Sequence, residues 1–216
     1  LRKSIRDTLI IDSKETPGST GKCGTCSDAK LLAEELSRIS NGKLAFEILD
    51  IQKGMIYKPR YLPAFIYDTR RKNVRFYGLP SGQEFAPFIY IHEYISEGVK
   101  LPKSVVDEIE SIETPMHIKV FVTSECPYCP IVVDFLNQAG IINENFIVEA
   151  IEALENPYEA DKYAVQYVPF IAINRVEDYD VYGAMPVEVV PGYVSSEEII
   201  ETIKRAERKI KGRSKA

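Results

Sequence analysis

Apolar and polar positions follow the same succession twice along this chain. The first half opens with an apolar run, "TLIID" (8–12), of the kind that forms a buried strand. "CSDAKLLAEELSRIS" (26–40) then places apolar residues at helical spacing, and Gly42 marks its stop. "LAFEILDI" (44–51) predicts a second strand. "QKGMIYKPRY" (52–61) reads poorly as a helix. A strand led by Pro63, a further short strand and the helix "EFAPFIYIHEYISEG" (84–98) complete the half. The second half repeats the order: strand "HIKVFVT" (117–123), helix "CPIVVDFLNQA" (129–139) with Gly140 as its stop, and strand "NFIVEAIEA" (145–153). A strand led by Pro169, a short strand and the helix "SSEEIIETIKRAERKI" (195–210) follow. "LPKSVVDEIESIETP" (101–115) predicts a helix opening the second copy, with Pro102 near its start and Pro115 after its end.

Sequence anchors keep pace with these elements. Cys23 and Cys126 lie 103 positions apart, "FEILD" (46–50) and "VEAIE" (148–152) 102, and "YLPAFIYD" (61–68) and "YVPFIAIN" (167–174) 106. "YGLP" (77–80) and "YGAMP" (182–186) lie 105 apart at the glycine. Four anchors in one order imply two copies of a unit, residues 1–99 and 100–216. A strand–helix–strand followed by a strand pair and a helix implies an α/β fold, each unit a mixed sheet flanked by helices.

Composition narrows the classes. A chain of 216 residues, 45% hydrophobic, suits two domains of about 100 residues each. The net charge of -5 leaves no basic patch for nucleic acid or a membrane surface, and basic Lys204–Lys215 reads as a solvated helix end. No apolar run approaches the length of a membrane span. "LRKSIRDTLIID" lacks a signal-like apolar core, although the start at Leu1 leaves a removed leader open. All 4 cysteines fall in two pairs, "CGTC" (23–26) and "CPYC" (126–129), with none over for a staple; this predicts a reducing, cytoplasmic setting. With 16 Lys, 32 Asp plus Glu and 11 Asn plus Gln, the composition leans towards a thermophilic source.

The pairs carry the chemistry. Residues three apart on a helix have Cβ atoms about 5–6 Å apart, and a disulfide spans Cα atoms about 4.4–6.8 Å apart. One helical turn therefore lets such a pair open and close with little movement. Pro127 suits a first helical position, which would put Cys126 at the cap, where free N–H groups favour a thiolate. Pro130 argues for a helix starting slightly later. A ring this short gains little as a staple. A four-thiolate zinc cage usually spaces its pairs by about 15–20 residues, far closer than these, so redox exchange is the preferred reading.

With these motifs the sequence resembles the thioredoxin superfamily. "CPYC" is similar to the glutaredoxin form, and "YVP" (167–169) to the family's cis-proline signature. Two such units, the first closed by "RFYGLPSGQEF" (75–85), resemble the tandem protein disulfide oxidoreductases of thermophilic archaea and bacteria over nearly the whole chain. The resemblance implies Cys126 as attacking and Cys129 as resolving thiol. It implies Pro169 as a cis-proline with Val168 offering backbone to substrate. Cys23, Cys26, Pro63 and Leu62 take those places in the first copy. It also implies protein disulfides as substrates and electrons from a flavin thioredoxin reductase. Lacking a GxGxxG, the chain is expected to bind no cofactor of its own.

Departures from the pattern set further expectations. The buried acid that thioredoxin carries six residues before its first cysteine is Val120 here, and Pro17 in the first copy. Glu149 and Glu47, on the second strand of each copy, are the candidate substitutes for proton transfer; edge or solvent-facing glutamates are the equal alternative. His92 and His117 read as structural residues, and the recurring tyrosines 61, 77, 167 and 182 as packing. The second site is expected to dominate, because Gly24 replaces the stiff Pro127 and the polar loop 13–22 screens Cys23. Lys22 and Glu125 pull the other way, by favouring the Cys23 thiolate and disfavouring that of Cys126. A glutathione-dependent glutaredoxin, or a module binding zinc or an iron–sulfur cluster, remains the alternative.

Overall fold

The structure, a computed structural model, describes residues 1–14, 23–178 and 185–213. Eight strands form one continuous sheet in the order β2-β1-β3-β4-β6-β5-β7-β8. The first half supplies β1 (Ile5–Ile11), β2 (Leu44–Asp50), β3 (Ala64–Ile66) and β4 (Val74–Tyr77). The second supplies β5 (Met116–Val122), β6 (Phe146–Glu152), β7 (Phe170–Arg175) and β8 (Glu188–Pro191). Each half pairs its first strand parallel to its second and antiparallel to its third, which runs antiparallel to its fourth. The repeated anchors thus mark a repeated topology.

The sequence predicts two sheets, and the structure joins them. β4 runs parallel to β6, with Val74 opposite Val148 and Tyr77 opposite Ile151. Each half has an unpaired edge there, and pairing the two satisfies backbone groups that would otherwise face water or another chain.

Helices cover both faces. α1 (Cys26–Ile39), α3 (Phe85–Glu97), α4 (Lys103–Glu110), α5 (Cys129–Ile142) and α7 (Ser196–Arg213) contribute to a large core on one face. The other face carries a smaller core with α6 (Pro157–Lys162) and the short α2 (Ile51–Gly54), which continues as a 3-10 turn through Tyr57. Strand periodicity sorts the residues. Met116, Ile118, Val120 and Val122 of β5 face the large core, whereas His117, Lys119 and Phe121 face the other way.

Three expectations change. Both cysteine helices begin at the second cysteine, so Cys126 lies one turn before α5 and Pro127 is not its first residue. Pro130 fixes that start: at the first turn its missing N–H breaks no bond. Gly140 does not stop α5 but lies inside it, where an added Cβ would come within 2.6 Å of Val74 Cγ2. It lets the helix approach the strands where the halves join. Finally, α4 ends at Glu110, well short of Pro115.

Candidate active site

Each cysteine pair is closed within its own motif. Cys23 and Cys26 have Cα atoms 5.6 Å apart, and Cys126 and Cys129 5.5 Å. The strands deliver them. β5 ends at Val122, four residues before Cys126, and α5 leads away from Cys129. The Cys129 amide donates to Cys126 Sγ at 3.1 Å, so an unpaired N–H at a helix start points at the sulfur that would carry negative charge. In the first half, the Asp12 amide lies 3.4 Å from Cys26 Sγ.

Prolines 63 and 169 both follow cis peptide bonds, Leu62–Pro63 and Val168–Pro169. Strand register places them. Phe121 pairs with Phe170 and Ile10 with Ala64, so each proline lies level with the end of the strand that leads to its cysteine pair. Each proline carbonyl also accepts a glycine amide, from Gly192 at 2.8 Å and from Gly78 at 3.0 Å.

The two sites differ in their surroundings. Cys126 is 7% exposed and Cys23 3%. Exposed Tyr128, within CPYC, packs at a tilt against exposed Tyr193 with ring centroids 5.3 Å apart; Ile131 and Tyr167 are exposed as well. Lys22 and most of the polar loop 13–22 lie outside the described residues, as does Tyr182.

Neither glutamate named from the sequence is brought to a sulfur. Glu47 is exposed on the edge strand β2. Glu149 is fully buried, but Val148 and Ala150 on either side of it face the core that holds the cysteines, so it points through the opposite face. There it accepts from His117 Nε2 at 2.7 Å and from the Tyr77 hydroxyl at 3.1 Å, with Arg75 at 3.8 Å. Burial opposes its charge, but His117, Arg75 and Lys119 outweigh it and hold the carboxyl below the usual range. Burial pushes the His117 imidazole down, towards the neutral form. Lys119 and Glu159 form a second buried pair beside it.

A different acid stands near the second site, and it comes from the first half. The turn Gly82–Glu84 packs against α5, and the Gln83 amide donates to the Ser124 carbonyl at 2.8 Å, two residues before Cys126. A Cβ on Gly82 would fall 2.3 Å from that carbonyl, and its φ of 56° is also one that glycine tolerates. Glu84 is 1% exposed, and neither carboxyl oxygen has a hydrogen-bond partner. Burial, then the neighbouring Glu152, push its carboxyl up to about 8. Among the described residues, no group of three or more His, Cys, Asp or Glu could hold a metal ion.

A closable Cys-x-x-Cys at a helix start, with a cis-proline level with the strand that precedes it, defines a thioredoxin-fold protein of thiol–disulfide oxidoreductase type. Here the arrangement occurs twice, and the chain is a thioredoxin-fold protein, tandem protein disulfide oxidoreductase-like. A family model described as "Thioredoxin domain" matches residues 116–203. The crystal structure of a protein disulfide oxidoreductase from Aeropyrum pernix K1 is similar over 96% of this chain and 87% of that one, at 25% identity and a TM-score of 0.78. The AhpF component of the Enterococcus faecalis (V583) alkylhydroperoxide reductase shares the fold, with a TM-score of 0.74, 20% identity and coverage of 93% of this chain and 90% of that one. The corresponding component of the Staphylococcus epidermidis (strain ATCC 35984) alkyl hydroperoxide reductase is 36% identical over 105 residues, which are 48% of this chain and 20% of that protein. An NADH dehydrogenase of Bacillus subtilis (strain 168) is 24% identical over 72% of this chain and 30% of its own length. The chain thus spans less than a third of these two curated relatives. No helix of the described residues is long and apolar enough to cross a membrane.

Proposed function

We propose that the protein exchanges disulfides with protein substrates, chiefly through Cys126 and Cys129. The observation that carries this reading is the Cys129 amide directed at Cys126 Sγ within a pair that can close. In the reducing direction, the Cys126 thiolate attacks a substrate disulfide. One substrate sulfur leaves as a thiolate, and the other stays bound to Cys126 as a mixed disulfide. Cys129 then loses its proton and attacks Cys126 Sγ. The mixed disulfide breaks, the second substrate thiol departs, and the Cys126–Cys129 bond has taken up the oxidation. Oxidation of a substrate dithiol is the reverse.

In this reading Glu84 takes the Cys129 proton. Its carboxyl, pushed up to about 8, is matched to a thiol near 8.5. Glu47 and Glu149 have no part in the transfer. Val168–Pro169, with Leu62–Pro63 in the first half, offers backbone to an extended substrate segment. Tyr128, Tyr193, Ile131 and Tyr167 supply exposed apolar surface for it, which suits polypeptide better than a small charged thiol. The reductant in this scheme is the dithiol of a separate thioredoxin reductase-like flavoenzyme, and the setting is the cytoplasm. The units carrying the two sites are residues 1–99 and 100–216.

The test is reductive cleavage of a protein disulfide such as that of insulin, with dithiothreitol as the electron source. Cys126→Ser should abolish most of the activity and Cys23→Ser less. Equal losses would show that the second site is not dominant, and an inactive unaltered protein would defeat the reading.

A further inference from the structure

One short segment of the second half touches the first cysteine motif and the end of the strand that leads to the second. Thr25, next to Cys26 in the first motif, donates its hydroxyl to Glu155 Oε2. The other oxygen of Glu155 accepts the Leu79 amide at 2.9 Å. The Glu155 amide donates to Glu152 Oε2 at 2.6 Å. The Ala153 amide donates to the Val122 carbonyl at 2.8 Å, which pins the segment to the end of β5. Val122 precedes Cys126 by four residues. A hydrogen-bonded path therefore runs from inside one Cys-x-x-Cys ring to the approach of the other, and Glu155 is the side chain that carries it to the first motif.

We infer that Glu155 is a positioning residue that couples the two pairs, so that opening the Cys23–Cys26 disulfide changes the reduction potential of Cys126–Cys129. The inference rests on the exchange chemistry proposed above. In the oxidised protein, the ring Cys23–Gly24–Thr25–Cys26 is closed and Thr25 is held against Glu155. A dithiol reductant breaks the S–S bond: two electrons and two protons pass to Cys23 and Cys26, and the reductant departs as its own disulfide. The opened loop, with Gly24 beside Thr25, is freer, and the Thr25–Glu155 bond weakens. Glu155 then loses a donor that offset its charge, and Glu152 and the end of β5 feel a more negative neighbour. That field disfavours the Cys126 thiolate. A reduced first pair therefore makes the second pair more strongly reducing. Because the coupling is an equilibrium property, the second pair must act back on the first by the same factor.

The experiment equilibrates the full-length chain with glutathione redox buffers and reads each pair by differential alkylation and peptide mass spectrometry. A Cys23→Ser, Cys26→Ser double variant stands in for the opened pair. Its Cys126–Cys129 equilibrium should shift at least three-fold towards disulfide, about 14 mV by the two-electron relation. The same double substitution in a Glu155→Ala background should give no shift. Thr25→Val, close in shape to the native residue, should also remove it, and covers the case that Glu155→Ala folds poorly. Glu155→Gln, which keeps an acceptor but carries no charge, should also remove it. Equal equilibria with the first pair present or absent would overturn the coupling, as would a shift that survives both Glu155→Ala and Thr25→Val. If Cys126–Cys129 fails to equilibrate with glutathione in the unaltered chain, the exchange reading falls instead.

Discussion

At the scale of single residues, Glu84 separates structure from chemistry most sharply. Its carboxyl sits near pH 8 when folded, against an ordinary value of 4.5. Between those two values the native state holds more protons than the unfolded one, so this group lowers stability progressively as pH rises from about 4.5 to about 8. Glu84→Gln should therefore flatten the alkaline decline in melting temperature. The same substitution should slow protein-disulfide reduction roughly ten-fold or more by removing the proton acceptor, and erase the limb of the pH–rate profile near 8. A variant that is neither more stable at pH 8 nor slower would return Glu84 to the status of a buried accident. The cysteines and prolines were legible from one sequence because their chemistry is local: a three-residue spacing fixes the ring, and two prolines recur in register with it. Glu84 was not, because the turn that carries it packs against α5 of the other half, and "SGQEF" reads as an ordinary helix entrance. Glu149 and Glu47 drew attention as repeated strand glutamates. Period-two alternation, followed through Val148 and Ala150, already turned Glu149 away from the cysteine helix.

At the scale of elements, the strands and cysteine helices follow the apolar pattern to within a few residues, and the misplaced details have local causes. Gly140 reads as a helix stop in a sequence, yet here a side chain is excluded by Val74 and Val148. Gly82 is the matching case at the second site. Gly82→Ala should cost about 1–3 kcal/mol, because the Cβ meets backbone that cannot turn aside. Chemical denaturation would measure the loss, and exchange activity should fall with it because Glu84 is displaced. Between β5 and β6, the His117–Glu149 contact predicts acid lability. Glu149 has a depressed carboxyl, so its contribution is present above the unfolded value of 4.5 and is lost as pH falls towards the folded one. His117, also depressed, is neutral in the fold, so the unfolded chain gains a proton first as pH falls through 6.5. The two signs agree: stability should drop below about pH 6.5 and more steeply below about 4.5. Glu149→Ala should cost about 3–5 kcal/mol at neutral pH, since it leaves Arg75 and the Tyr77 hydroxyl facing a buried gap. Thermal unfolding across this pH range checks both statements.

At the scale of the whole molecule, two copies of one topology have become unequal partners in a single sheet. The parallel β4–β6 pairing hides an edge of each half. Arg75 and Tyr77 reach across it to Glu149, and Gln83, next to Glu84, stands against the approach to Cys126. The periodicity of the sequence announced the copies but could not announce the join, because an edge strand and a central strand carry the same alternation of apolar residues. The join has a direct consequence for residues 100–216 produced alone. That piece contains Cys126, Cys129 and Pro169, everything a single-unit reading requires. It lacks the partner for β6, and it lacks Glu84. Expressed by itself, it should associate through the exposed β6 edge and show a lower melting temperature than the full chain. Where it stays folded, its exchange rate should fall towards that of the full-length Glu84→Gln protein. Size-exclusion chromatography and protein-disulfide reduction on the same preparation would decide the matter. A monomeric fragment as active as the full chain would mean that the first half contributes neither edge nor acid to the second site.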